Sequence, residues 1–180
     1  MKKWKPGDIA ARSDVPPWQQ ILDLFDSDNH SLPDVFVDGL TPDQAVAVYE
    51  WVMSQCRASE DCTVWYVKEQ KDLPISSFPT PARAYVAGEI EPFRHGLVGL
   101  SINGVELPYL TICMESIGSL SFDYQKGPKW NEITINAFLE LLARIRKLAP
   151  HALIWHAEEG HSSRPTPQFA EALFQFEIER

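Results

Sequence analysis

The chain has 180 residues, 44% of them hydrophobic and 11% aromatic, with a formal net charge of −9. That size and composition predict one folded domain over residues 1–180 with a sizeable core, and exclude a disordered chain. The acidic balance works against binding nucleic acid or anionic membrane surfaces, and no apolar run reaches the roughly 18–20 residues that cross a bilayer.

The chain opens with Lys2, Lys3 and Lys5, as a secretory leader would, but Asp8, Arg12 and Asp14 interrupt any apolar core, so a cytoplasmic protein is expected. Pro16 and Pro17 then start a short helix that Asp14 is placed to cap, with Trp18, Ile21, Leu22 and Phe25 on one face. After a polar loop, Asp34–Asp38 alternates as a strand and Gly39 closes it. Thr41, Pro42 and Gln44 write a strong helix start with a capping box. Ala45, Val48, Tyr49, Val52 and Cys56 form its apolar stripe, and Asp43 and Glu50 fall outside it.

From Cys62 the period changes to alternation. Residues 62–67, 82–90, 96–102, 105–114 and 119–124 read as strands, the third and fourth joined by Asn103-Gly104. That dipeptide signals a tight hairpin because both central residues must accept positive φ. Pro108 marks an edge strand or a bulge. Asn131 then caps a long helix through Leu148 that buries Ile135, Phe138, Leu139, Leu142 and Ile145. Arg144, Arg146 and Lys147 lie at the negative end of its dipole. Residues 152–155 form a further strand, and Thr166-Pro167 opens a terminal helix bearing Phe169, Leu173 and Phe176. Helices at both chain ends around a central, mainly antiparallel sheet make an α+β fold.

Catalytic signals are sparse. Three cysteines (Cys56, Cys62, Cys113) cannot all pair within the chain, and reduced thiols are expected. Cys113 sits in an alternating apolar run, where it serves as a small core residue. Ser162-Ser163 lacks a nucleophile elbow, and no glycine-rich phosphate loop opens a helix. The densest group of potential ligands follows the strand near residue 155. There His156 and Glu158 project to one side, and His161 could fold back to join them as an alternative metal or small-ligand site. The spacing differs from that of the helical metalloprotease motif, and a solvated loop is the simpler reading. No catalytic residue, resident metal or cofactor is assigned.

The charge is concentrated. Between Asp14 and Cys62 lie ten acidic residues and a single base, Arg57. Capping and turn formation account for Asp14, Asp34 and Asp43, but not for the near absence of compensating cations. Six tryptophans add large amphipathic side chains, of which Trp51 and Trp130 could face solvent. Acidity, one α+β domain, missing catalytic motifs and the stretch Leu120-Ser121-Phe122-Asp123-Tyr124-Gln125-Lys126-Gly127-Pro128-Lys129-Trp130 with its following helix together carry a resemblance. The chain resembles the small acidic immunity proteins that bacteria make alongside toxic effectors. The resemblance implies a non-catalytic protein that blocks a toxin by direct contact. Nuclease toxins are basic, so an acidic inhibitor is steered toward them. The expected contact residues are Asp23, Asp26, Asp28, Asp38, Glu50 and Trp51.

Overall fold

A computed structural model describes residues 14–27, 31–160 and 164–180; the expectations for Asp28 and His161 lie outside these. The first half contains α1 (Pro17–Gln20), α2 (Leu22–Phe25), β1 (Asp34–Asp38), α3 (Pro42–Ser54), β2 (Ala58–Ser59), β3 (Thr63–Tyr66), β4 (Lys71–Pro74) and α4 (Pro81–Val86). The second half contains β5 (Phe93–Val98), β6 (Ser101–Ile102), β7 (Val105–Glu106), β8 (Leu110–Ser116), β9 (Ser119–Tyr124), α5 (Glu132–Leu148), β10 (Leu153–Ala157) and α6 (Pro167–Ile178). Six strands make one antiparallel sheet in the order β10-β1-β9-β8-β5-β2, while β3–β4 and β6–β7 are separate two-stranded ribbons. This is the expected α+β architecture. No described helix is long and apolar enough to cross a membrane.

Alternation along the strands decides which sheet face is covered. Val35 and Val37 of β1, Ile112 of β8, Phe122 and Tyr124 of β9 and Ile154 of β10 all point to one side and are buried. Helix α5 lies on that side: Phe138 meets Phe25, Tyr124 and Trp130 at ring-centroid distances of 5.8, 6.4 and 5.6 Å. Helix α3 lies there too, since Tyr49 reaches His95 of β5, a residue of the same side. Trp130 belongs to this core and is not exposed; its indole N–H donates to the Gln125 carbonyl at 2.9 Å.

Local signals explain most boundaries. Thr41 accepts from the Gln44 amide, and the Gln44 side chain accepts from the Thr41 amide, closing the capping box of α3. Thr41→Ala is expected to cost about 1 kcal/mol, read as a lowered urea midpoint with unchanged slope. Asn131 caps α5 through the amides of Ile133 and Thr134. The Asn103-Gly104 turn has φ values of 51° and 80°, and Arg144 of α5 donates to the Asn103 side chain.

Four further expectations need correction. Residues 96–102 are not one strand: β5 ends at Val98, the chain turns at Gly99 with a φ of 64°, and Ser101–Ile102 pairs with β7 in a separate ribbon. Residues 82–90 do not form a strand: Pro81 starts α4, and Ala82, Ala84 and Tyr85 are buried at helical spacing. Proline at a first helical position presets φ, which outweighs the apparent alternation of Ala82, Ala84 and Val86. Asp14 does not cap α1, which makes no side-chain cap, and the predicted single helix breaks at Ile21 into α1 and α2. The run 105–114 is split into β7 and β8 around Pro108, which cannot donate to a ladder.

Candidate functional site

The opposite face of the six-stranded sheet is covered by no helix among the described residues. The registers place Phe36 of β1 opposite Trp155 of β10 and Ser121 of β9, with Cys113 of β8 and Arg94 of β5 continuing the row. Phe36 and Trp155 stack at 4.3 Å with their planes 19° apart, and both are half-buried. Asp38 fixes this pair: one carboxylate oxygen accepts from the Trp155 indole N–H at 2.7 Å, the other from the Ser119 hydroxyl at 2.5 Å. Beside the rings, small residues (Ser116, Ser119, Ser121 and Cys113) leave a groove of about 440 Å³ with Glu115 on its rim. A register shift between Cys113 and Ser116 displaces β8 there, as a bulge does. Leu153, 69% exposed, extends the apolar surface on β10.

Charge on this face is one-sided. The six strands contain four acids, Asp34, Asp38, Glu115 and Asp123, and their single Lys or Arg is Arg94. Arg94 forms an ion pair with the buried Asp123, which also accepts from the Cys113 thiol at 3.6 Å. Burial raises the Asp34 carboxyl above its usual range; Arg94 opposes that rise and Glu159 adds to it. Glu60, just beyond β2, accepts from the Tyr109 hydroxyl at 2.9 Å. That pair lies over Gly96, where a Cβ would collide with both oxygens.

The sequence-predicted contact residues are distributed over several elements. Of those among the described residues, Asp38 alone lies on the face that no helix covers. Asp23 accepts from the Gln168 amide of α6 at 3.1 Å, on the helical side. Asp26 is exposed at the end of α2. Glu50 lies 3.7 Å from Arg83, and Trp51, next to it on α3, packs half-buried against the core. The sequence reading missed Phe36, Trp155 and Glu115. The alternation of β1 and β10 was a usable signal, because it puts Phe36 and Asp38 on the face opposite Val35 and Val37.

The alternative site is built differently from a ligand centre. His156 is fully buried on the helical side, with one ring nitrogen 2.9 Å from the Tyr124 hydroxyl and the other 2.9 Å from that of Thr166. Burial lowers its pKa to about 4. Glu158 is engaged twice by the buried Lys126, at 3.0 and 2.9 Å. Among the described residues no group of three or more His, Cys, Asp or Glu side chains could hold a metal ion.

The thiols are unpaired, and burial raises Cys56 and Cys113 to about 11, opposite to what a nucleophile needs. His95, the other buried histidine, is held between the Tyr49 hydroxyl at 2.6 Å and the Glu60 carbonyl at 3.0 Å. Burial is also the main influence lowering its pKa.

No protein-family model and no curated protein matches the chain. Among solved structures, it is similar to a chain of the 1.75 Å crystal structure of the toxic C-terminal tip of CdiA from Pseudomonas aeruginosa in complex with immune protein. The identity is 12% and the TM-score 0.48, over 73% of this chain and 88% of that chain. A likeness at that level carries no inference about family, partner or activity.

Proposed function

We propose that this is a non-catalytic binding protein that neutralises a positively charged partner protein, as an immunity protein neutralises a toxin. The bare sheet face carries the reading, because it sets a stacked Phe36–Trp155 pair among four strand acids with Arg94 as their one cation. Aromatic side chains supply contact area at little entropic cost, and the surrounding carboxylates steer a basic protein and set its orientation. The wider field, with a net charge of −9, acts in the same direction. Asp38 belongs to this contact set. Asp23, Asp26, Asp28 and Glu50 add to the long-range field, and Trp51 contributes to a second rim of a large partner.

Co-expression with the products of adjacent reading frames, followed by size-exclusion chromatography, tests the reading. A stoichiometric complex is expected whose association slows with salt, and which Trp155→Ala and Glu115→Lys each weaken about tenfold or more. A complex indifferent to both substitutions, or no complex with any of those products, would overturn it.

A further inference from the structure

We propose that the groove beside the Phe36–Trp155 pair seats an arginine side chain of the partner, an inference that rests on the binding-protein reading above. The groove measures about 440 Å³, room for one long side chain. Its existence follows from residue size: Ser116, Ser119, Ser121 and Cys113 stand beside two large rings, and the β8 bulge opens the rim. The carboxylates at the groove have different roles. Each oxygen of Asp38 already accepts one hydrogen bond, from Trp155 or Ser119, so this residue holds the indole and contributes charge. Glu115 is exposed, lines the groove and makes no hydrogen bond or ion pair among the described residues, so both its oxygens face a ligand without a competing donor.

An aromatic wall, a free carboxylate and neighbouring hydroxyls together favour a guanidinium. Its planar fork meets a carboxylate through two parallel N–H bonds, and its weakly hydrated face lies against aromatic rings. An ammonium of similar charge keeps its water more tightly and makes neither contact as well. A neutral urea group of the same shape lacks the charge that Glu115 and Asp38 attract. The seat should therefore rank arginine above lysine, and both above citrulline.

The experiment uses the full chain, ¹⁵N-labelled, titrated separately with the Nα-acetyl amides of arginine, lysine and citrulline. With arginine, saturable shifts are expected at the Trp155 indole N–H and the Ser119 and Ser121 amides. Lysine should bind several-fold more weakly and citrulline should give no such shifts. Glu115→Gln is expected to weaken arginine binding about tenfold, while Asp43→Asn, an exposed acid on α3, leaves it unchanged. Equal responses to arginine and citrulline, shifts lowered equally by both substitutions, or no saturable shift would overturn the seat. The two proposals fail separately. Arginine binding with no partner complex sinks the neutralisation reading alone, whereas a complex that needs Trp155 but no arginine sinks the seat alone.

Discussion

Phe138→Ala is expected to lower the free energy of unfolding by about 3–5 kcal/mol, a large share of the roughly 5–15 kcal/mol that holds a domain of this kind folded. The phenyl ring is fully buried at the middle of α5 and contacts Phe25, Tyr124 and Trp130, which join the N-terminal helices, the sheet and the loop before α5. Truncation removes the transfer free energy of the ring and leaves a cavity among large side chains whose own contacts limit collapse. Leu153→Ala is the control, since Leu153 is 69% exposed and its loss should stay within about 0.5 kcal/mol. Urea titrations of the two variants check the pair. Equal midpoints would show that the ring cluster does not hold the layers together.

The second large effect is acid sensitivity through His156. Its imidazole stays neutral in the folded protein down to about pH 4, against an ordinary value of 6.5. Between those limits the unfolded chain binds the extra proton, so stability contributed above pH 6.5 is lost as pH falls toward 4. The shift corresponds to roughly 3 kcal/mol, and burial is its leading cause, since charging the ring means desolvating a cation between Tyr124, Thr166 and Phe169. His95 contributes in the same direction. His156→Gln should be less stable at pH 7, because the Tyr124 and Thr166 contacts are only partly replaced. Its stability should nevertheless fall less steeply between pH 6.5 and 4. Urea midpoints of both proteins across that range decide the matter, and parallel curves would remove His156 as the cause.

His156, a candidate ligand in the sequence, is thus a core hydrogen-bonding residue, as is His95, and each has both ring nitrogens partnered. A strand pattern shows which side His156 faces relative to Trp155, but not which of the two faces the helices will cover. That choice depends on where α5 and α6 dock, and the docking is a matter of long-range packing. The same ambiguity hid the aromatic pair. Phe36 and Trp155 are 119 positions apart in the chain, and they meet because β1 and β10 pair in one register. Acid counting, by contrast, drew attention to a contiguous segment whose members fold onto different elements: Asp23 against α6, Glu50 beside Arg83, and Asp38 at the indole N–H of Trp155.

By itself the sequence determined what short-range chemistry controls: the capped starts of α3 and α5, the Asn103-Gly104 turn, the alternating strands, the apolar stripe of α5 and the overall negative charge. Caps, turns and periodicity act within a few residues, so their outcome is written locally. Only the tertiary structure decided which sheet face the described helices leave uncovered, which acids share it, and that Phe36, Trp155 and Glu115 border one groove. Those features arise from strand pairing and helix docking between distant segments, where burial of the whole core selects one arrangement.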